Sequence, residues 1–146
     1  MQGKVLKLFI THNDEKKRRE EVPEIVVDEN GIKEDKFYAK NQQRAILITS
    51  MYSYDLTKEN QIEIPHGSLG ENILVDINPY HLLPGEQILI GETLLEITQN
   101  CTLCKGLSTL NSKLPKLLKD DRGIFAKVVN GTSQIKISDG VRILNH

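Results

Sequence analysis

The stretch Gln87-Ile88-Leu89-Ile90-Gly91-Glu92-Thr93-Leu94-Leu95-Glu96-Ile97-Thr98 contains two short apolar runs joined by a Gly-Glu pair. Each run has the length and the content of Ile, Leu and Thr that are typical of a β-strand. Gly91-Glu92 is typical of the turn between two such strands. This part of the chain therefore predicts a fold in which β-strands dominate.

Similar strand-like runs recur along the rest of the chain. They lie within residues 6–10, 24–27, 45–49, 62–64, 72–77, 125–129, 134–137 and 141–144. Asn130-Gly131 predicts a hairpin turn between two of these strands. Only residues 50–56 and 113–118 are expected to form helices, and Pro115 restricts the second helix to a short one. Many short strands separated by turns favour a β-barrel or a β-sandwich.

The composition is that of an ordinary globular protein. The chain has 146 residues, 27% charged residues and a formal net charge of -1, which fits one domain over residues 1–146. The charge gives no electrostatic reason to expect nucleic acid or an anionic membrane as a partner. Residues 14–21 are strongly charged, but acidic residues flank the basic centre, and we interpret them as a solvated loop between two strands. No apolar run is long enough to span a bilayer, and the N-terminal residues do not form a signal peptide.

The two cysteines, Cys101 and Cys104, form a Cys-x-x-Cys pair just after a predicted strand. In a cytoplasmic protein, which is the location expected here, both are free thiols. A structural zinc site usually needs four ligands, and the sequence has no second cysteine pair. A thioredoxin-like redox pair would begin a helix, whereas the flanks here predict a strand and a loop. From the residues alone, two interpretations remain open: one buried and one incidental cysteine, or a reactive Cys104 with Cys101 as its resolving thiol.

Several motifs, in a fixed order, resemble the MOSC family, named after the C-terminal domain of molybdenum cofactor sulfurase. They are Gly31-Ile32-Lys33-Glu34-Asp35-Lys36-Phe37, Arg44-Ala45-Ile46-Leu47-Ile48, Gly70-Glu71-Asn72-Ile73, Leu83-Pro84-Gly85, Leu89-Ile90-Gly91, Cys104, Arg122-Gly123-Ile124-Phe125-Ala126-Lys127-Val128 and Ser138-Asp139-Gly140-Val141. The chain departs from the family pattern at Glu34 and Ser138, where glycine is usual, and at Phe37, where histidine is common. Ser138 stands at a turn that can require a positive φ.

The resemblance implies a mainly β fold, a closed or partly open β-barrel of the MOSC type with a few short helices. It also implies a site. Cys104 would be the reactive residue and the metal ligand, and the candidate cofactor-binding residues are Arg44, Asn72, Arg122, Asp35 and Asp139. The implied cofactor is the molybdenum cofactor, molybdopterin. Pyridoxal phosphate is not expected, because the sulfurase's pyridoxal-dependent part is a separate large domain.

The chemistry of these residue types fits such a site. A cysteine is nucleophilic and metal-binding as the thiolate, and nearby Lys105, Arg44 or Arg122 would favour that form. Arginine also binds phosphate-like anions through paired N–H donors. Other interpretations stay open: Arg122 as a surface ion-pair partner, and Asn72, Asp139 and Asp35 as turn or loop residues.

The sequence therefore supports a leading hypothesis and an alternative. In the leading one, a MOSC-domain protein binds molybdenum cofactor or carries sulfur as a persulfide on Cys104, with a sulfur donor or electron-donor protein as partner. Such a protein could also reduce N-hydroxylated compounds, and the electrons would then come from the partner. The alternative is a non-catalytic β-barrel interaction domain whose thiols are structural. The enzyme class stays undecided.

Overall fold

The structure is a computed structural model that describes residues 2–16, 18–102 and 106–144. The strands in this part of the chain are β1 (Gln2–Thr11), β2 (Arg19–Val22), β3 (Glu24–Asp28), β4 (Gly31–Ile32), β5 (Ile46–Ser50), β6 (Ile73–Val75), β7 (Gln87–Ile90), β8 (Thr93–Asn100), β9 (Ile124–Val128), β10 (Ser133–Lys136) and β11 (Gly140–Leu144). The helices are α1 (Met51–Glu59), α2 (Leu107–Leu110) and α3 (Leu114–Leu117), with a 3-10 turn at Gln42–Arg44.

Seven of these strands form a closed barrel. Around the ring the order is β11, β7, β8, β9, β5, β6 and β1, and β1 pairs back onto β11 with Gln2 opposite Arg142. The β7–β8 hairpin predicted from residues 87–98 is present, with Ile90 opposite Thr93. Closure leaves no free edge in the ring itself. The predicted mainly β fold with a closed barrel is confirmed.

Strand β1 is long enough to pair with three others. Its first residues pair with β11, its middle with β6, and Leu8–Thr11 pair with β2. A separate three-stranded sheet has the order β10, β3, β4. β2 is almost entirely charged, with the sequence Arg-Glu-Glu-Val, and such side chains discourage pairing with another chain at an exposed edge.

The ring contains one parallel pair, β5 and β6, and α1 belongs to the connection between them. A parallel pair needs a crossover connection of this kind. Ser50 ends β5 and also begins the helix, because its hydroxyl accepts a hydrogen bond from the Tyr52 N–H at 3.0 Å. β5 and the start of α1 are therefore fixed to each other without an intervening loop.

The barrel interior follows from alternation along the strands. In β8, for example, Thr93, Leu95 and Ile97 are buried while the residues between them are only partly so. The main core includes fully buried Ile, Leu and Val side chains from the ring: Leu8, Ile46, Ile48, Ile73, Val75, Ile88, Ile90, Leu95 and Ile124. A second cluster lies outside the ring, where Tyr54, Ile62, Leu69, Leu74, Leu107, Leu114 and Leu118 pack together.

Two local predictions were wrong. Residues 62–64 form no strand, because Ile62 packs against Tyr54 in the second cluster and its N–H is bonded to the Thr57 carbonyl. Asn130-Gly131 is a bend between β9 and β10 and not a hairpin turn, since β9 pairs with β5 and β8, and β10 pairs with β3. The Asn130 side chain instead bonds to the Leu94 N–H and to the Glu92 carbonyl.

Both predicted helices are present. The helix predicted at residues 50–56 is α1 and extends further along the chain, and the one predicted at 113–118 is the shorter α3, with Pro115 in its first turn as expected. The charged segment 14–21 is only partly a loop, since Arg19–Val22 form β2. No helix in the described ranges is both long and apolar enough to cross a membrane.

Candidate functional site

Asp35 and Asn72, both predicted as site residues, lie together below the protein surface. Each is 4% exposed, and the Asn72 Nδ2 is 3.5 Å from the Asp35 Oδ1. Asp35 also accepts hydrogen bonds from the backbone N–H groups of Thr11, at 2.7 Å, and Phe37, at 3.0 Å. Its carboxylate therefore ties the end of β1 to the loop after β4.

Asn72 connects two strands of the barrel. Its Oδ1 accepts the Leu47 N–H at 3.0 Å, and its Nδ2 donates to the Phe9 carbonyl at 3.2 Å. Its backbone bonds to the same two residues, with the Asn72 N–H on Leu47 O and the Phe9 N–H on Asn72 O. The side chain thus spans the space between β1 and β5, and each of its polar atoms is used within the protein.

The loop before β6, residues 67–72, is clamped by two arginines. Arg19 of β2 donates to the carbonyls of Gly67, at 3.3 Å, and Glu71. Arg122 donates from Nε to the Leu69 carbonyl at 3.0 Å. Burial lowers the pKa of Arg19, and the charges of Glu71 and Asp35 oppose that shift. Both arginines therefore hold the backbone of the Gly-Glu-Asn motif in one conformation.

Glu71, the central residue of that motif, is fully buried. Its Oε2 accepts hydrogen bonds from the Tyr54 hydroxyl, at 2.5 Å, and from the Gly67 N–H, at 3.0 Å. Its Oε1 is buried and has no hydrogen-bond partner among the described residues. Burial, and then the charge of Glu71, raises the pKa of Tyr54 well above its usual value. Tyr54 also contacts the His66 ring, with the ring centroids 4.8 Å apart.

Arg122 lies just before β9, beside the end of β5. Its backbone carbonyl accepts hydrogen bonds from the hydroxyls of Thr49, at 2.9 Å, and Tyr80, at 3.4 Å. Its guanidinium passes Gly70, where an added Cβ would lie 3.5 Å from Nη2. Gly70 has a φ of +87°, which a residue with a side chain rarely adopts. The arginine and the exposed Gly70 therefore form one edge of the candidate site.

The chain segment that carries the cysteines begins next to this arginine. The Cys101 N–H donates to the Gly123 carbonyl at 2.9 Å, and Cys101 packs with Leu47 and Phe125. Cys101 is 3% exposed and is therefore buried. Cys104, the predicted reactive residue and metal ligand, lies outside the described residues, as does Lys105.

A cavity of about 570 Å³ lies on the same side of the barrel. It is lined by Asn78, Tyr80, His81, Asn100, Asp120 and Asp121. Burial and the neighbouring Asp120 raise the pKa of Asp121. The Asn100 Oδ1 is buried, and within the part of the chain that the structure describes it has no hydrogen-bond partner. The surroundings of Arg122 are therefore polar and partly acidic on this side.

The two other predicted site residues do not join this group. Arg44 is an exposed residue of the 3-10 turn before β5, at the end of that strand opposite to Arg122. Asp139 lies in the turn between β10 and β11, where its Oδ2 accepts the Lys136 N–H at 2.8 Å. A Cβ on Gly91 would lie 2.6 Å from that Oδ2, so Gly91 makes room for the turn. Of the two interpretations of Asp139, cofactor-binding residue or turn residue, its position in the structure fits the turn residue.

Sequence reasoning missed four polar residues that shape the site. They are Arg19, Tyr54, Glu71 and Tyr80. Glu71 belongs to a motif that the sequence did indicate, and only its burial was not foreseen. Arg19 was hidden in the charged run 14–21, and nothing in that run distinguishes it from its neighbours. Among the described residues, no group of three or more His, Cys, Asp or Glu side chains could hold a metal ion.

The family model of the MOSC domain matches residues 34–142. The chain belongs to the MOSC domain family. The matched range contains Asp35, the Gly-Glu-Asn motif, Cys104 and the Arg122-Gly123 pair, so the motif resemblance seen in the sequence is confirmed. No curated protein sequence matches the chain.

Solved structures with the same fold include bacterial proteins of unequal length. The YuaD protein from Bacillus subtilis superposes with a TM-score of 0.81 at 17% identity, covering 97% of this chain and 94% of that one. YiiM from Geobacillus stearothermophilus gives 0.74 at 13% identity, covering 98% and 75%. YiiM from Escherichia coli gives 0.73 at 16% identity, covering 100% and 71%. At these identities the likeness shows the fold alone.

Proposed function

We propose that this MOSC protein uses the Cys104 thiolate to bind molybdenum cofactor or to carry sulfur, with Arg122 as the cation of the site. The observation that carries the proposal is the hydrogen bond between the Cys101 N–H and the Gly123 carbonyl, at 2.9 Å. It starts the cysteine segment one residue from Arg122. A guanidinium close to a thiol lowers the thiol pKa and favours the reactive thiolate.

The residues of this edge suit an anionic, sulfur-containing group. Arg122 uses its Nε–H on the Leu69 carbonyl, which fixes the plane of the guanidinium. Arginine recognises phosphate and similar anions through its planar set of donors. Gly70 keeps side-chain atoms away from the guanidinium. A thiolate is a soft ligand suited to a thiophilic metal. When bound, the molybdenum cofactor would supply a redox-active metal centre, and Cys104 and Arg122 would hold it.

The sulfur-carrier form of the proposal needs only a persulfide donor. The Cys104 thiolate attacks the terminal sulfur of the donor's persulfide, a new S–S bond forms on Cys104, and the donor leaves as its thiolate. No net oxidation or reduction occurs, because one S–S bond replaces another. Arg122 would stabilise the anionic persulfide that results. The donor protein is the partner that this form requires, whereas reduction of an N-hydroxylated compound would require an electron-donor protein.

Native mass spectrometry of freshly purified protein, from cells that make molybdopterin, tests the proposal. We expect added mass on the wild type and on Cys101→Ser, and none on Cys104→Ser. Cys101→Ser is the matched control, because it removes the buried thiol that packs with Leu47 and Phe125. The size of the added mass separates a cofactor from a persulfide sulfur.

Two results would contradict the proposal. The first is equal loading of the wild type and Cys104→Ser. The second is no loading of the wild type after incubation with both a persulfide donor and isolated cofactor, together with slow alkylation of both thiols. The second result would favour the interaction domain with structural thiols.

A further inference from the structure

A second cavity, of about 250 Å³, lies between α1 and the loop of residues 62–66. Met51, Ile62 and Ile64 form its apolar wall, and the remaining lining residues are polar or charged. An apolar wall combined with a few polar groups is the usual form of a small-molecule site. The proposed function uses none of the residues that line this cavity, so a ligand bound here would be a separate one.

His66 lines the cavity and has an unsatisfied ring nitrogen. Its Nδ1 is buried, and no group in the described ranges forms a hydrogen bond with it. Burial, and then the charge of Lys7, lowers the pKa of His66, so the ring is neutral at pH 7. The charges of Glu71, Glu21 and Asp55 oppose this shift. A neutral imidazole with its proton on Nε2 has an acceptor at Nδ1. Because buried polar atoms are nearly always partnered, this acceptor indicates a donor from outside the chain.

The buried hydroxyl groups of the cavity cannot supply protons to a ligand. The Tyr54 hydroxyl donates to Glu71 Oε2 at 2.5 Å, and the Thr57 hydroxyl donates to the Tyr54 carbonyl at 2.9 Å. Each hydroxyl has a single proton, so both are already used. Beside them, Glu71 is fully buried, and its Oε1 has no partner in the described part of the chain. A ligand that fits these groups therefore brings its own N–H donors.

The charged residues around the cavity favour a cation. Asp55 and Glu63 are exposed lining residues, and within the described ranges neither forms an ion pair. Lys58 also lines the cavity, so the two carboxylates outnumber the lysine. A mouth with an excess of negative charge attracts cations and disfavours anions.

We propose that this cavity binds a small organic cation, a protonated amine with an apolar body, whose N–H group donates to His66 Nδ1. The apolar body packs against the apolar wall, where it is removed from water. Asp55 and Glu63 at the mouth balance the positive charge. The inference goes beyond the proposed function, because the cavity is a second site that involves neither Cys104 nor Arg122.

Binding of hexylammonium at pH 7 tests the inference, with 1-hexanol and hexanoate as the neutral and anionic probes of matched size. Two NMR signals are followed: the backbone amides of residues 51–66 and the ring nitrogens of His66. We expect saturable shifts with hexylammonium at a dissociation constant of about 1 mM. 1-Hexanol should bind about fivefold more weakly, because its hydrogen bond to the ring lacks a charge. Hexanoate should cause no saturable shift.

Three variants locate the ligand. His66→Phe keeps a ring against Tyr54 and removes the acceptor, so the affinity for hexylammonium should fall about tenfold. Asp55→Asn removes one carboxylate at the mouth and should weaken binding about threefold. Glu59→Gln is the matched control, because it removes a carboxylate from the same helix that does not line the cavity. It should leave the affinity unchanged. Asp55→Asn lies at an exposed position, and it keeps the test decisive even where His66→Phe folds poorly.

Three results would overturn the inference. The first is equal affinity for 1-hexanol and hexylammonium, which would show an apolar cavity without preference for a cation. The second is wild-type affinity for hexylammonium in both His66→Phe and Asp55→Asn. The third is no saturable shift at residues 51–66 up to about 20 mM hexylammonium. Each of these results leaves the proposed function intact, because that function is tested by the mass added to Cys104.

Discussion

The side of the site around Asn72 and the side around Arg122 use the family motifs in different ways. Both polar side-chain atoms of Asn72 form hydrogen bonds within the protein, to Phe9, Leu47 and Asp35, and the residue is 4% exposed. Arg122 is only partly buried and reaches past Gly70, at the place where the cysteine segment starts. The first side joins strands of the barrel, whereas the second presents a charged group beside a thiol-bearing segment.

The difference teaches that belonging to a motif does not by itself make a residue part of the chemistry. Asn72 and Asp35 were predicted to bind cofactor, and in the folded chain their hydrogen bonds go to backbone groups of β1, of β5 and of the loop after β4. We therefore assign them a supporting role within the proposed function. Arg122 keeps the proposed contact with the anionic group.

The largest expected effect is the difference in stability between a variant on the Asn72 side and a variant on the Arg122 side. Asn72→Ala should lower the free energy of unfolding by about 3 kcal/mol, because it leaves the Leu47 N–H and the Phe9 carbonyl buried without their side-chain partner. Arg122→Gln should lower it by about 1 kcal/mol at most, since its side chain is partly exposed. Urea unfolding followed by circular dichroism measures both.

Asn60→Ala is the matched control for the asparagine. Its side chain donates to the Leu56 carbonyl at the exposed end of α1, so we expect a change within about 0.5 kcal/mol. The two variants should rank in the opposite order when the mass added to Cys104 is measured. Arg122→Gln should carry less added mass than the wild type, whereas the folded fraction of Asn72→Ala should carry as much. If Asn72→Ala is stable but unloaded, the supporting role of Asn72 is wrong.

A smaller effect concerns two positions where the chain lacks the family's glycine. Glu34 has a φ of +73° and Ser138 a φ of +75°, a region that costs a residue with a Cβ about 1 kcal/mol. Glu34→Gly and Ser138→Gly should each therefore stabilise the protein by about 0.5 kcal/mol, after the added entropy of glycine in the unfolded chain. Thermal unfolding measures the gain.

Ser138→Ala is the control, because alanine keeps the Cβ and the strain, and it should unfold close to the wild type. Glu34 directly precedes Asp35, so Glu34→Gly also tests whether strain beside Asp35 contributes to its placement. A destabilised Glu34→Gly would indicate that the Glu34 side chain makes a stabilising contribution that outweighs the backbone cost.

The smallest expected effect is a pH dependence of stability that comes from His66. Burial, and then the nearby Lys7, lowers the pKa of His66 below its usual 6.5, although Glu71 opposes the shift. Above pH 6.5 the ring is neutral in both the folded and the unfolded chain. As the pH falls below 6.5, the unfolded chain takes up a proton that the folded protein resists, so this contribution to stability decreases.

His66→Phe keeps a ring against Tyr54 and removes the titration. Between pH 7 and pH 5, its urea midpoint should fall by less than that of the wild type. His81→Gln, at an exposed position, should fall by as much as the wild type does. Equal losses for the wild type and His66→Phe would show that His66 does not contribute.

The barrel could be predicted from the sequence because most of its strands have a recognisable local sequence pattern. Residues 87–98 predicted the β7–β8 hairpin, and the motifs in their order predicted the family. The strand predicted from Ile62 and Ile64 was wrong, because alternating apolar and polar residues also occur where a loop packs against a helix. The roles of Arg19, Glu71 and Tyr80 depend on long-range contacts with residues that are distant in sequence, and a single sequence does not reveal those contacts.

The pairing of β1 with β11 also has a consequence for how the protein is made. Gln2–Lys4 pair with Gly140–Arg142, so the ring closes only when strands at the two ends of this sequence meet. A ribosome releases the β1 residues long before the β11 residues, and β1 has to wait for its partner. Contacts over such long separations slow folding. During synthesis, the edge of β1 that later pairs with β11 is therefore open to pairing with other chains.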